Sequence, residues 1–166
     1  MLQLLRSDNL IRALGARGGV LLQLEGNNII QATPEQIFIA LQDPAVLAKC
    51  VPGVKKLEVE SEGVFKTTLE VAVGPVKGTF NGKVSVLEKL ENTALTLKVE
   101  MRAPVGIASA IGRVTFHPEE GATRVHWSGE PQLGGMIASV GARLIGGVAK
   151  AQADLFFSKL EQELRQ

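Results

Sequence analysis

The chain is poor in the residues that most often carry chemistry. Its 166 residues include one cysteine, two histidines, one tryptophan and no tyrosine. A single cysteine excludes an internal disulfide framework and a cysteine-rich zinc module, and it fits a reducing, cytoplasmic compartment. Two histidines exclude a histidine-rich metal site, and the lack of tyrosine removes a common proton donor. Net charge is only +1, so no overall field recruits nucleic acid. No apolar run reaches the roughly 20 residues that span a bilayer. The best candidate, residues 131–149, is broken by Arg143 and rich in glycine. Neither a Gly-x-Ser-x-Gly elbow nor a phosphate-binding Walker loop is present. What is there is the balance of a packed globule: 45% apolar and 21% charged residues, in a length suited to one domain.

Residues 1–19 read as an extension and residues 20–166 as the single domain. Leu2, Leu4, Leu5, Leu10, Ile11 and Leu14 recur in the extension, but Arg6, Asp8 and Arg12 break any secretory core. Two readings stay open: a short amphipathic helix on a membrane or partner, or a loosely attached tail. The domain opens with a strand from Val20 to about Ile30. Thr33-Pro34-Glu35-Gln36 supplies a cap, a proline for the first turn and an amide at N3, predicting a helix that carries Ile37, Phe38 and Leu41. Asp43-Pro44 starts a second short helix, closed by Pro52-Gly53.

From Val54 the apolar period changes to two. Phe65, Thr67, Leu69 and Val71 alternate with Lys66, Thr68 and Glu70, and similar runs follow at 76–86, 95–101, 114–116 and 125–127. Turn residues separate them: Glu62-Gly63, Gly74-Pro75, Glu91-Asn92 and Glu119-Glu120-Gly121. Such alternation predicts an antiparallel meander with one wet and one covered face. The proline-free segment from about Gly135 to Glu163 predicts one long helix to cover it, with Ile137, Val140, Leu144, Val148, Ala151 and Leu155 turned inward. The fold class is therefore α+β: one strand, two short helices, about six more strands and a long terminal helix lying in a curved sheet.

No acid–base set, nucleophile or metal cluster stands out, so no catalytic residue, metal or cofactor is assigned. His117 and His126 fall at outward positions opposite Arg124 and Thr115, as a solvated pair. Cys50 beside Lys49 reads as a buried structural thiol. The covered face is apolar and rich in glycine, with Gly78 and Gly82 on one strand and Gly141, Gly146 and Gly147 in the helix. Close backbone approach is one explanation; missing side chains that leave a void are the other. The uncharged stretch from Ala103 to Gly112 suits a cavity mouth. Burying about 400 Å² of a ligand yields roughly 10 kcal/mol gross, and association removes at least about 4, so useful affinity needs an elongated apolar guest. On the sheet the candidate lining residues are Phe65, Leu69, Phe80, Val99, Met101 and Trp127, with Ile107, Ile111 and Leu133 near the mouth. On the helix they are Met136, Val140, Leu144 and Val148, with Gln152 as the polar handle.

Three motifs carry a family resemblance: Asp43-Pro44 through Leu47-Ala48-Lys49-Cys50-Val51-Pro52-Gly53, Val73-Gly74-Pro75-Val76-Lys77-Gly78-Thr79-Phe80-Asn81-Gly82, and Gly134-Gly135-Met136-Ile137-Ala138-Ser139-Val140-Gly141-Ala142-Arg143-Leu144-Ile145. With their spacing they resemble the CoxG family of carbon monoxide dehydrogenase subunits, within the START-like (SRPBCC) helix-grip superfamily. The resemblance covers about Leu22 to Leu164; residues 1–20 lie outside the family pattern. It implies a curved seven-stranded antiparallel sheet gripping the C-terminal helix around an apolar cavity. It further implies an accessory role beside a molybdenum hydroxylase of the carbon monoxide dehydrogenase type, with quinone handling or membrane recruitment as the task. The leading expectation is a non-catalytic carrier of a quinone or other isoprenoid lipid. Two alternatives stand beside it: a ligand-free adaptor, recruiting that enzyme to the inner face of the cell membrane, and a cyclase- or dehydratase-like enzyme.

Overall fold

The computed structural model describes residues 20–165; the expectations for residues 1–19 lie outside them. The elements are β1 (Val20–Leu21), β2 (Leu24–Ile30), α1 (Pro34–Ala40), α2 (Pro44–Cys50), β3 (Val54–Ser61), β4 (Val64–Val73), β5 (Val76–Leu90), β6 (Ala94–Ala103), β7 (Gly106–Glu119), β8 (Ala122–Gly129), β9 (Gln132–Gly134), a 3-10 turn (Gly135–Val140) and α3 (Ala142–Leu164). This is the helix-grip order. Among the described residues, no helix is long and apolar enough to cross a membrane.

The caps form as the sequence predicts. Thr33 and Gln36 make a reciprocal capping box, and the Asp43 carboxylate accepts from the Ala45 amide at 2.9 Å. The sheet is antiparallel, with β2, β8, β7, β6, β5, β4 and β3 side by side. Short β1 pairs with β9, which pairs with the start of β7. The expected strand from Val20 to Ile30 is interrupted at Leu22–Gln23. The run from β8 to β9 is interrupted opposite, at Glu130–Pro131, where the Leu22 amide donates to the Pro131 carbonyl at 3.1 Å. A proline cannot donate to a ladder, so both strands bend together there. Counted through their bends, the strands number seven.

The terminal helix departs from the sequence reading in two ways. It begins at Ala142, because Gly141 has φ of +103° and ends the 3-10 turn. Such a backbone suits glycine alone. The helix is also rotated by about one residue position. Ile145, Val148, Gln152, Phe156 and Leu160 face the sheet, whereas Leu144, Ala151 and Leu155 are exposed. Counting apolar residues favours Leu144 and Leu155, but contact with β2 and with α2 sets the rotation. Asn28 on β2 donates to Asp154 at 2.9 Å, and Lys49 on α2 pairs with Glu163 at 3.6 Å. At the other end, the Cβ position of Gly146 lies 3.6 Å from Leu24. From Leu24 to Asn28 is about 13 Å of strand, and from Gly146 to Asp154 about 12 Å of helix, so α3 runs beside β2 in the same direction.

Buried apolar residues form two separate cores. The first joins α1, α2 and the C-terminal half of α3 to one end of the sheet through Ile30, Ile37, Leu95, Val125 and Leu160, each at most 1% exposed. The second joins the 3-10 turn and the start of α3 to the other end through Leu22, Val76, Phe80, Leu133, Ile137 and Ile145. Each fully buried Leu or Ile contributes roughly 1.5–3 kcal/mol.

Candidate functional site

Register determines what lies between the two cores. Paired residues share a face, so the inward side of the sheet is a set of transverse rows about 7 Å apart along the strands. Val86 and Leu97 pack with the first core, and Met101 and Ala108 with the second. The row between them is Val59–Phe65–Val84–Val99–Ala110, from β3 to β7; none of its members joins either cluster, although Phe65 is itself buried, at 6% exposure. Val84, Val99 and Ala110 remain partly accessible on the face the helix covers, and Val59, on the free edge strand, is 56% exposed. The helix shows the same interval: Val148 packs with the second core, Ala153 and Phe156 with the first, and Ala149 with neither. Gln152 is half-buried, and its amide makes no hydrogen bond among the described residues.

Beyond Ala110 the uncored surface turns toward Trp127. Gly112 pairs with Gly129, and Val114 pairs with Trp127 one row further on. A Cβ built on Gly112 or Gly129 meets only backbone within 4 Å, no nearer than 3.5 Å, so each has room for a small side chain between Leu24 and Leu97, their neighbours in the row. Trp127 lies against Gly26, donates its indole N–H to Asn28 Oδ1 at 3.0 Å, and packs beside the first core. Asn28 passes the bond on to Asp154 of α3. Gly82 behaves differently: a Cβ there would collide with Met101, so this glycine serves close packing and leaves no void.

The lining residues expected from the sequence therefore scatter. Phe65 and Val99 lie in the row between the cores, and Gln152 lies on α3 between Val148 of the second core and Phe156 of the first. Leu69, Phe80, Met101, Leu133, Val140 and Val148 pack in the second core, and Trp127 borders the first. Leu144 is 41% exposed on the flank of α3 turned away from β2. Ile107 and Ile111 share the outward parity of Ser109 and Arg113, and each is about half exposed. The stretch from Ala103 to Gly112 is the β6–β7 hairpin; Ala103, Val105 and Ala108 pack on the second core, and Ala110 and Gly112 follow on the same face. Met136, in the 3-10 turn, is 71% exposed. The sequence places Val84 inward and Ala110 and Gly112 in the mouth stretch without naming them as lining residues, and it does not single out Gly129, which the register pairs with Gly112.

Polar groups elsewhere are accounted for by their neighbours. His117 Nε2 lies 2.9 Å from Thr115 Oγ1; His126 bonds Asn27 at 3.2 Å and sits 3.7 Å from Glu25. Among the described residues no three potential metal ligands converge. Burial, then the charge of Glu163, pushes the Cys50 thiol pKa up, against weaker opposition from Lys159 and Lys49. An open groove of about 400 Å³ does exist on the opposite, outer face of β3–β6, over Thr68 and Asn81. Its rim holds Lys56, Lys66, Lys83, Arg102, Glu58 and Glu100, and Glu60 bridges Lys66 and Lys83 at 3.5 and 2.9 Å. Desolvating such a rim is costly, so an apolar guest does not belong there.

A family model described as CoxG, a subunit of carbon monoxide dehydrogenase, matches residues 26–165. Among solved structures, a conserved protein from Geobacillus kaustophilus is similar at 29% identity, with a TM-score of 0.83 over 87% of this chain and 95% of its own. A START superfamily protein from Mycobacterium smegmatis aligns at 12% identity with a TM-score of 0.70, covering 87% of this chain and 97% of its own. An aromatase/cyclase from Streptomyces sp. R1128 aligns at 13% identity with a TM-score of 0.65, covering 88% and 94%. At such identities the last two share the fold. A sequence search of curated proteins finds no match.

Proposed function

Because the chain belongs to the CoxG family of carbon monoxide dehydrogenase subunits, we propose that it is a non-catalytic carrier holding a quinone or similar isoprenoid lipid between sheet and helix, as accessory to a molybdenum hydroxylase. The observation that carries this reading is the row from Val59 to Ala110, left outside both cores under a helix face that offers Ala149 and Gln152. Burying apolar side chains against each other is the main stabilising force in a domain, so a covered apolar row outside both cores suits a guest. Four strand spacings of about 4.8 Å make its floor about 19 Å long, which favours an elongated molecule. Gln152 is the hydrogen-bonding handle for a ring carbonyl. Such a carrier meets its lipid at a membrane surface and its enzyme in the cytoplasm.

Solvent extraction of the purified protein followed by lipid mass spectrometry tests the reading. The expected result is a co-purifying quinone or isoprenoid near one equivalent. Extracts free of any such lipid, from cells that make quinones, favour the ligand-free adaptor, for which the charged outer groove is the natural contact surface.

A further inference from the structure

The two ends of the uncored row differ in chemistry. One end opens at the free edge strand, where Val59 is 56% exposed and the facing flank of α3 presents Leu144 and Leu155, 41% and 50% exposed. The other end stops where β1–β2 and β8–β9 bend together at Leu22 and Pro131. There Gly112 and Gly129 lie one row from Trp127, whose indole rests on Gly26 and donates its N–H to Asn28. Gln152, with its free amide, is the polar group above this interval. A wide aromatic wall suits a planar ring, and a narrow apolar row suits a chain.

Resting on the carrier reading, we infer that the guest binds in one orientation: its planar, carbonyl-bearing ring lies over Gly112 and Gly129 against Trp127, within reach of Gln152, and its chain runs along Val99, Val84 and Phe65 to leave past Val59. The headgroup is thus enclosed and the tail end stays at the mouth, so the protein selects for ring size and tolerates different chain lengths. Gly112 and Gly129 set that size limit. Neither has a backbone conformation reserved for glycine, and a side chain there points into the space the ring needs.

Calorimetric titration with two half-ligands tests the orientation. One probe is 2-methyl-1,4-naphthoquinone, a ring without a tail; the other is geranylgeraniol, a tail without a ring. Wild type is expected to bind both. Gly112→Leu is expected to weaken the ring probe about tenfold or more and the tail probe less than about threefold, with Val99→Trp giving the reverse. Gly129→Val serves as the second ring-end variant should Gly112→Leu fail to fold. In wild type the ring probe should quench Trp127 emission and the alcohol should not. Equal losses for both probes, or quenching by the tail alone, overturn the orientation and leave the carrier reading in place. Wild-type binding of neither probe overturns both.

Discussion

Trp127 and Asn28 are joined by a 3.0 Å hydrogen bond from the indole N–H to the amide oxygen, across neighbouring strands β8 and β2. Asn28 in turn donates to Asp154 at 2.9 Å, so the chain's one tryptophan is coupled to the position of the terminal helix. Replacing Asn28 with Ala removes both bonds and leaves a half-buried indole N–H unpaired. The expected loss is about 1–3 kcal/mol in urea unfolding, with a red shift of Trp127 emission. Asp154→Ala should cost less, and the double variant should cost less than the sum of the two, because the bonds form one chain.

The two cores and the row between them should respond differently to the same deletion. Val125 is fully buried in the first core, and Val125→Ala is expected to cost on the order of 2 kcal/mol through lost contacts and a new cavity. Val99 lies between the cores, so Val99→Ala should cost less than about 1 kcal/mol. Val99→Leu should be near neutral, whereas overpacking a filled site costs about 1–3 kcal/mol. Denaturant midpoints for the three variants check this ordering.

Cys50 is a structural thiol. Burial raises its pKa, so the folded state keeps the proton that the unfolded chain releases above about pH 8.5. Stability from this group is complete below that pH and is lost as pH rises toward the folded value. A thiol-specific reagent at pH 8 should label native protein far more slowly than protein in urea. Equal rates would contradict burial.

On the outer face, Glu60 accepts from Lys83 at 2.9 Å; its pKa is lowered first by that bond, and the Lys83 pKa is raised by the same partner. The depressed carboxyl contributes stability above its unfolded pKa near 4.5, which is lost as pH falls through the folded value. The raised ammonium contributes below 10.5, and its share is lost as pH rises further. Both groups are open to water, so the effect is small. Lys83→Met should lower the urea midpoint slightly at pH 7, and by progressively less as pH falls below about 4.5.

Much of this architecture is legible in the residues. Thr33 and Asp43 announce their helices because a cap is a local device. The facing of Thr115 with His126 and of His117 with Arg124 follows from the turn at Glu120-Gly121 plus a period of two. What the residues alone do not reveal is set by long-range contact. The rotation of α3 depends on Asn28, 126 residues away from Asp154, and apolar counting alone places Leu144 and Leu155 inward. Hydrophobicity draws Ile107 and Ile111 inward, against the outward parity that Ser109 and Arg113 share with them. Gly82 and Gly112 look alike in sequence, yet a Cβ on one would collide with Met101 and a Cβ on the other would meet no side chain within 4 Å.

The account stands on an elongated guest occupying the row beneath Gln152. Native mass spectrometry of delipidated protein titrated with a long-tailed menaquinone measures this directly. One equivalent should bind at tens of micromolar or below, and Val99→Trp should weaken the adduct about tenfold or more. Wild-type protein that stays free of adduct throughout the titration, or a Val99→Trp variant that binds as well as wild type, would contradict it.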